Sequence, residues 1–276
     1  MIEGRLTVIE HADDPRIAEF RDIRERDLTG RESRFIAEGT VVLRLLADAH
    51  AADRGFVAEK VLLLRNRTAG LEPIIASLPS DVPVYVADAA VLDAIVGFHL
   101  HRGVLALGRR VASDDLDGFI DRLPQKAMVL VGCGISNHDN VGAMFRNAAA
   151  FGADGLLLDG SSCDPLYRKA LRVSVGSVLT LPYCRTASDI VILDALASRG
   201  FAIWGLSPRG ATPIGAVPPS ARLALVVGTE GEGLPPAILS RFGTARIPQA
   251  PGLDSLNVAT ATGIALFAMA SAAGRI

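Results

Sequence analysis

Five polar side chains in the second half of the chain have the types expected of a site that orients a reacting group. They are Asn140, Arg146, Glu230, Ser255 and Asn257. Amides, a hydroxyl and a carboxylate offer donors and acceptors of hydrogen bonds, and a guanidinium also stabilises developing negative charge. The set therefore indicates a site that holds a ligand by hydrogen bonds.

Asn140 and Arg146 belong to a segment that predicts a helix over 141–151. Apolar residues spaced i, i+3, i+4 and i+7 form its buried stripe, namely Val141, Met144, Phe145 and Ala148. Arg146 lies off that stripe and shares a face with the small residues Gly142 and Ala150, which leave room for a ligand. The alternative is that Asn140 only caps the helix and Arg146 is only a surface charge.

Glu230 lies in the run GTEGEG at 228–233, directly after an apolar strand. Three glycines let the backbone approach a ligand closely. Glu230 and Glu232 repel anions, so the loop is a poor phosphate cradle and suits a ligand with amines, hydroxyls or positive charge. An ordinary turn is the alternative.

Ser255 and Asn257 precede a long apolar helix predicted at 258–273. We expect Asp254 or Ser255 to cap this helix, and capping alone is the alternative role for the cluster. The helix is apolar or small nearly all round, which predicts burial on every side, in a core or against a second subunit. It is too short and too rich in small residues for a membrane span.

These segments lie within alternating strands and helices, a pattern that predicts an α/β fold in both halves. The predicted strands are 34–38, 57–64, 82–86, 103–108, 127–132, 155–159, 201–206, 222–228 and 244–248. The predicted helices are 15–28, 40–52, 70–78, 89–96, 141–151, 187–199, 235–242 and 258–273, with a helical start to 164–176. Parallel sheets bind ligands at the carboxyl ends of their strands. The loops 132–140, 228–235 and 248–257 occupy such positions.

The most acidic run, 110–124, marks the expected domain boundary. We interpret it as a solvated connecting helix. The expected organisation is a small α/β domain at 1–108, a linker at 109–124 and a second α/β domain at 125–276.

The charge balance excludes a strongly basic protein, because the net charge of the 276 residues is −2. Any surface for nucleic acid must therefore be a local patch. The densest basic stretch contains Arg168, Lys169, Arg172 and Arg185 with only Asp164 as an acid. It could grip phosphates, or it could be a solvated helix face.

Cysteine usage argues against a disulfide framework or a zinc site. Cys133, Cys163 and Cys184 are odd in number and widely spaced, which suits a reducing cytoplasm. His99 and His101 would share a face of a strand, but a third ligand is missing, so no metal is expected. The N-terminal residues contain no apolar signal segment.

Three ordered motifs resemble those of the SpoU/TrmH group of RNA ribose methyltransferases in the SPOUT superfamily. They are NVGAMFRNA from Asn140, LVVGTEGEGL from Leu225, and Ile247-Pro248 followed by DSLNV from Asp254. The stretch 165–182 between them is also similar. More loosely, FIAEG at 35–39 and HRGVLAL at 101–107 resemble the family's RNA-binding domain, which is like ribosomal protein L30.

The resemblance implies an α/β domain with a deep trefoil knot at 125–276, preceded by a small L30e-like α/β domain that binds RNA substrate at 1–108. It also implies a homodimer through the C-terminal domain and S-adenosylmethionine as the cofactor. The implied cofactor-binding residues are Val227, Gly228, Thr229, Gly233, Ile247, Pro248, Leu256 and Asn257. The implied RNA-binding residues are Arg34, Arg168, Lys169 and Arg172.

The implied reaction is attack of a ribose 2′-OH, in rRNA or tRNA, on the methyl group of the cofactor. Aligning the reacting atoms is largely a positioning task. Arg146 would hold the target phosphate and stabilise a developing alkoxide, because a guanidinium stays protonated. Asn140, Ser255 and Asn257 would orient the ribose and Arg146, and Glu230 would pair with Arg146.

Other interpretations remain open. One is an RNA base methyltransferase of the same fold. Another is a non-catalytic RNA-binding or assembly factor, against which the intact Asn140, Arg146 and Asn257 argue. A nicotinamide-dependent enzyme is disfavoured, because the GxG at 132–134 lacks the third glycine of a dinucleotide fingerprint.

Overall fold

A computed structural model describes residues 3–21, 29–30, 32–96, 103–111, 115–186, 188–252 and 254–276. The chain forms two compact units. One consists of Met1–Ser113 with Leu166–Thr180, and the other of Asp114–Pro165 with Leu181–Ile276.

Strands and helices alternate along the described residues. The strands are β1 Leu6–Ile9, β2 Arg34–Glu38, β3 Phe56–Leu64, β4 Val84–Ala87, β5 Val104–Arg110, β6 Ala127–Gly132, β7 Gly155–Asp159, β8 Tyr183–Thr186, β9 Ala202–Leu206, β10 Thr212–Pro213, β11 Arg222–Val227 and β12 Gly243–Arg246. The helices are α1 Thr40–Ala51, α2 Glu72–Ser77, α3 Ala89–Val96, α4 Leu116–Asp121, α5 His138–Ala150, α6 Arg168–Val173, α7 Asp189–Ser198, α8 Pro236–Arg241 and α9 Val258–Ala272.

The first unit contains a five-stranded sheet in the order β1-β4-β3-β5-β2. Strands β1, β4 and β3 are parallel, whereas β5 is antiparallel to both β3 and β2. Apolar residues such as Phe20, Ile36 and Leu62 are buried in its core.

The second unit contains a seven-stranded parallel sheet in the order β10-β12-β9-β11-β6-β7-β8. Every residue of β6 is buried, as expected of a parallel strand with both faces covered. Alternate residues Val129 and Val131 pack with Phe119 of α4, Leu193 of α7 and Ile238 of α8. The strand order reverses between β11 and β6, so the site loops follow the two strands at the switch point.

Most predicted elements are confirmed, and the strands at 34–38, 127–132 and 155–159 have the predicted bounds. The predicted helix at 15–28 corresponds to a 3₁₀ helix, Pro15–Phe20, and its remaining part at 22–28 lies outside the described residues. His99 and His101 also lie outside them.

The prediction of a solvated connecting helix at 110–124 is wrong for residues 116–121. Helix α4 buries Phe119 and Ile120 in the core of the second unit, with 3% and 0% of their surface exposed. Two of the four aspartates of the run lie on the exposed side of this helix, where Asp117 and Asp121 both pair with Arg199. The charge pattern therefore describes only one face of this helix.

The segment Leu166–Thr180 belongs to the first unit, although it lies between β7 and β8 in the sequence. Helix α6 packs against β2, where Arg168 Nε lies 3.9 Å from a carboxylate oxygen of the buried Glu38. Gly176 has φ +81°, and a Cβ atom there would lie 2.7 Å from Leu45 Cδ1 on α1. Nothing local in the sequence predicts this docking.

Helix α9 is buried on one side within this chain, so burial of its other side against a second subunit stays a prediction. Ala265 and Leu266 are fully buried, but Ile264 and Phe267 expose 40% and 54% of their surface. Within the described residues, no helix is long and apolar enough to cross a bilayer.

Replacing Gly176 by Ala should lower the free energy of unfolding by about 1–3 kcal/mol. The alanine would have to adopt a left-handed backbone conformation, and its Cβ would collide with Leu45. The matched control is Gly200→Ala, since Gly200 has φ +76° but open space where a Cβ would stand. Urea denaturation of both variants measures the difference. Equal losses would contradict the docking of this segment on α1.

Candidate functional site

The loops that follow β6 and β11 lie side by side at the carboxyl edge of the second sheet. Cys133 N–H donates to Val227 O at 2.9 Å, which continues the ladder between the two strands. Gly134 has φ +70°, and a Cβ there would lie 2.6 Å from Thr229 Cγ2. The GxG at 132–134 therefore serves loop-to-loop packing.

The glycine-rich loop after β11 is a closed turn. Gly233 N–H donates to Thr229 O at 3.1 Å, and Thr229 Oγ1 donates to Gly233 O at 3.3 Å. A Cβ on the buried Gly228 would lie 2.3 Å from Gly233 C, so only glycine fits there. The turn presents Glu230 at its exposed tip.

Asn140, Glu230 and Asn257 form a triangle of hydrogen bonds. Asn257 Nδ2 donates to Asn140 Oδ1 and to Glu230 Oε1, both at 3.0 Å. Asn140 Nδ2 also donates to Glu230 Oε1. Three segments separated by up to 117 residues in sequence are thus joined by side-chain bonds.

The triangle lies where two helices begin. Asn257 is the N-cap of α9, and its Oδ1 accepts from the N–H groups of Ala259 at 2.9 Å and Thr260 at 3.3 Å. The prediction that Asp254 or Ser255 caps this helix is therefore wrong. Both hydrogens and the oxygen of the Asn257 amide are used, so its orientation is determined by its partners.

Asn140 lies inside α5 and is not its cap. Asn137 is the N-cap and accepts from Asp139 N–H at 2.9 Å. The helix therefore begins three residues before the predicted start. Because Asn140 is not needed as the cap, its side chain, which is only 5% exposed, can take part in the triangle. The Glu230 carboxylate meets the first turns of both α5 and α9, where helix dipoles stabilise negative charge.

Arg146 is exposed on α5. Among the residues that the structure describes it makes neither a hydrogen bond nor an ion pair, so the predicted pairing with Glu230 is not formed. Its guanidinium is consequently available for a ligand. Ser255 is also exposed, two residues before Asn257.

The segment between β12 and α9 contains further candidates for ligand binding. Ile247 and Leu256 are half-buried, whereas Pro248 is exposed and Val227, at the end of β11, is buried. Gln249 Oε1 is buried without a hydrogen-bond partner in the described part of the chain. An unpaired buried acceptor is costly, so this atom is suited to a donor on a ligand.

All four residues predicted to bind RNA belong to the first unit. Arg34 pairs with Glu32 at 3.0 Å and with Glu59 at 2.7 Å, so much of its charge is neutralised locally. Arg168 lies near Glu38, while Lys169 and Arg172 are exposed. Arg185, from the same basic stretch, belongs to the second unit and donates to the backbone oxygens of Ser162 and Gly160.

A polar network around Asp159 was not predicted. Its carboxylate accepts from Gly134 N–H at 2.9 Å, from Ser162 N–H at 2.9 Å, and from the hydroxyls of Ser161 and Ser162. Ser162 Oγ also accepts from Ile135 N–H at 2.9 Å. These bonds attach the loop that leads into α5 to the end of β7.

Two opposing effects act on the pKa of Asp159. Burial alone raises it, but hydrogen bonds from Ser161, Ser162 and Gly134 stabilise the carboxylate and bring the pKa below its usual value. The only sequence signal for this network was a short DGSS run directly after a strand.

The three cysteines are free thiols. Burial raises the pKa of Cys163 to about 11 and that of Cys133 still further, so both are protonated at neutral pH. No group of His, Cys, Asp and Glu side chains in the described residues is arranged to hold a metal ion.

Comparison with known proteins identifies the family. Residues 127–267 match the model of the SpoU rRNA Methylase family. The chain belongs to this family. The match spans all three loops of the site, from β6 into α9.

Similarity to individual proteins extends beyond the matched region. An uncharacterized tRNA/rRNA methyltransferase of Mycobacterium tuberculosis is 37% identical over 274 residues, covering 92% of this chain and 88% of that protein. A solved RNA 2′-O ribose methyltransferase is 26% identical with a TM-score of 0.76, covering 98% of this chain and 100% of that one. The AdoMet-bound rRNA methyltransferase of Sinorhizobium meliloti shares the fold, with a TM-score of 0.79 at 24% identity, covering 98% of this chain and 99% of that one.

This SpoU family protein is an S-adenosylmethionine-dependent RNA methyltransferase. The α/β fold with its parallel sheet is the one that the resemblance implied. The predicted family, enzyme class and cofactor are confirmed.

Replacing Asp159 by Asn should lower the free energy of unfolding at neutral pH by about 1–3 kcal/mol, because buried donors lose their charged acceptor. The pKa of Asp159 is lowered by folding, so its contribution is present above the unfolded pKa of about 3.9 and is lost as pH falls through the folded value. The difference between the variant and wild type should therefore shrink below about pH 4.

Urea denaturation over a pH series measures this difference. The control is Asp254→Asn, which removes an exposed carboxylate and should change stability little at any pH. A deficit of Asp159→Asn that persists unchanged in acid would contradict the ionised network.

Proposed function

We propose that this protein transfers a methyl group from S-adenosylmethionine to a ribose 2′-OH of structured RNA, either rRNA or tRNA. The observation that carries the proposal is the triangle of Asn140, Glu230 and Asn257, together with the uncommitted Arg146 on the helix that contains Asn140. Asn140 Nδ2 keeps one hydrogen that can bind a hydroxyl group, and the guanidinium of Arg146 can hold a phosphate. The solved relative named as an RNA 2′-O ribose methyltransferase supports the ribose assignment.

The loops of the second unit suit the cofactor. Gly228 allows the closed turn that follows β11, Gln249 Oε1 offers a buried acceptor for an N–H donor, and Ile247 and Leu256 are half-buried apolar residues. We assign cofactor binding to these residues together with Val227, Thr229, Gly233, Pro248 and Asn257. When bound, S-adenosylmethionine supplies an electrophilic methyl group on a sulfonium.

The chain's own residues orient and stabilise the attacking group. Arg146 holds the phosphate beside the target ribose and stabilises negative charge that develops on the 2′ oxygen. It keeps its own proton, so the hydroxyl proton passes to a phosphate oxygen or to water. Asn140 and Ser255 position the ribose by direct hydrogen bonds, and Asn257 contributes by orienting the Asn140 amide.

The path from β12 to α9 supports a knot. Strand β12 is separated from β11 by β9, yet Asn257 bonds to residues that follow β11 and β6. The segment 247–256 must therefore return across the carboxyl edge of the sheet. We propose that this return is the deep trefoil knot of the family and that it shapes the cofactor site.

We propose that the first unit is an L30e-like domain that captures RNA in the cytoplasm. The resemblance at 35–39 supports this role, and so do the exposed Lys169 and Arg172 on α6 together with Arg168 and Arg34. The docking of Leu166–Thr180 on this unit adds three of these four cations to it.

The exposed side of α9 supports a homodimer. Ile264 and Phe267 are the large apolar residues there, and they lie three positions apart on one face. An apolar helix face of this kind is suited to the matching face of a second copy.

Incubation with labelled S-adenosylmethionine and separate rRNA and tRNA transcripts tests the proposal. The product should resist alkaline cleavage at one bond, because a 2′-O-methyl group removes the hydroxyl that attacks the phosphate. Labelled product that alkali cleaves fully would show base methylation. Binding of RNA without transfer of label would show a non-catalytic factor.

Replacing Arg146 by Ala should lower the single-turnover rate about 100–1,000-fold, because charge stabilisation at the 2′ oxygen is lost. Binding of S-adenosylmethionine, measured by calorimetry, should be unchanged, since Arg146 is assigned to the phosphate. Arg146→Lys should recover part of the rate. Full turnover by Arg146→Ala would contradict the assigned role.

Replacing Phe267 by Asp should convert the dimer to monomers, because a charge would be buried without a partner. Val191→Asp is the matched control, since Val191 is an apolar residue of α7 with 51% exposure. Light scattering coupled to gel filtration measures the mass. A monomeric wild type, or a dimeric Phe267→Asp variant, would contradict the proposed interface.

A further inference from the structure

Helices α5 and α9 start at the same place and run in the same direction. Asn140 in the first turn of α5 meets Asn257 at the start of α9. At the far end, the rings of Phe151 and Phe267 pack edge to face with centroids 5.8 Å apart. The offset between the helices along their axes therefore decides whether the two asparagines meet.

Asn147 connects these helices through a hydrogen bond. Its Nδ2 donates to Ala259 O at 2.7 Å. The N–H of the same Ala259 donates to Asn257 Oδ1 at 2.9 Å, and Asn257 in turn bonds to Asn140. Two residues of α5 and the first residues of α9 thus form a closed ring of contacts.

The surroundings of this bond are built to accommodate it. Thr262, with none of its surface exposed, donates its hydroxyl to the same Ala259 carbonyl at 2.8 Å. A Cβ on Gly263 would lie 3.2 Å from Asn147 Nδ2, which is tighter than ordinary contact. Glycine at 263 therefore lets the amide reach the backbone of α9.

We propose that Asn147 is a positioning residue for methyl transfer. Its bond to Ala259 sets the register of α5 against α9, and with it the contact between Asn140 and Asn257. The same bond limits rotation of α5 about its axis. Arg146 precedes Asn147 in this helix, so its side chain points about 100° away from that of Asn147, and fixing one direction fixes the other. This inference rests on the proposed function of the same site.

The variant that tests this role is Asn147→Leu, which keeps a similar volume and removes the donor. A shift of about 1 Å in a positioned group can lower a rate about 100-fold. The single-turnover rate at saturating S-adenosylmethionine should therefore fall about 10- to 100-fold. The dissociation constant of the cofactor should change much less than the rate, because only Leu256 and Asn257 of the residues assigned to the cofactor adjoin the start of α9.

Thr262→Val is the matched control. It removes a hydrogen bond to the same carbonyl at a buried position, but it leaves the bond between the helices intact. It should lower thermal stability as Asn147→Leu does and retain the rate of wild type. A normal rate in Asn147→Leu, or an equal loss in both variants, would overturn the proposal.

The double variant Asn147→Leu/Asn257→Ala shows whether Asn147 acts through Asn257. If it does, the double variant should be no slower than Asn257→Ala alone. Losses that multiply would show two independent roles and overturn the proposal.

The assays use rRNA and tRNA transcripts and score alkali resistance of the product. If wild type methylates only a base, the proposed function fails, while the comparison of variants still decides the role of Asn147. If neither transcript accepts a methyl group, hydrogen exchange tests whether Asn147 positions the start of α9. The amides of Ala259 and Thr260 should exchange faster in Asn147→Leu but not in Thr262→Val, and equal protection in the two would overturn the proposal.

Discussion

The site depends on one carboxylate that joins the beginnings of two helices. Glu230 Oε1 accepts from the amides of both Asn140 and Asn257, and these amides bond to each other. The charge lies at the positive ends of α5 and α9, which stabilise it, and among the described residues it has no cationic partner. Arg146, in the third turn of α5, therefore remains available for a substrate phosphate, and the neutral amides are oriented before any ligand binds.

The sheet makes this junction possible because its central strands place two glycine-rich loops in contact. Gly134 and Gly228 each occupy a position where a Cβ would collide with neighbouring atoms. Close packing at these glycines leaves the loops little freedom, and the Asp159 network attaches the first loop to β7. Pre-organisation of this kind is what a displacement reaction needs, since its catalysis is mainly alignment.

Several features were predicted from the sequence, because they depend on local patterns. The bounds of β2, β6 and β7 follow from apolar runs, and the buried stripe of α5 follows from helical spacing. The three motif segments contain the residues that meet at the site. The solvated linker at 110–124 was wrong, because charge on one side of α4 concealed Phe119 and Ile120 on the other.

The sequence by itself determined the α/β class, the family and the identity of the polar residues at the site. The tertiary structure decided their partners: Glu230 binds two asparagines instead of Arg146, Asn257 caps α9, and Leu166–Thr180 docks on the first unit. The physical reason is distance along the chain. Periodicity and capping act over a few residues, whereas a hydrogen bond between residues 117 positions apart depends on how whole strands and helices pack.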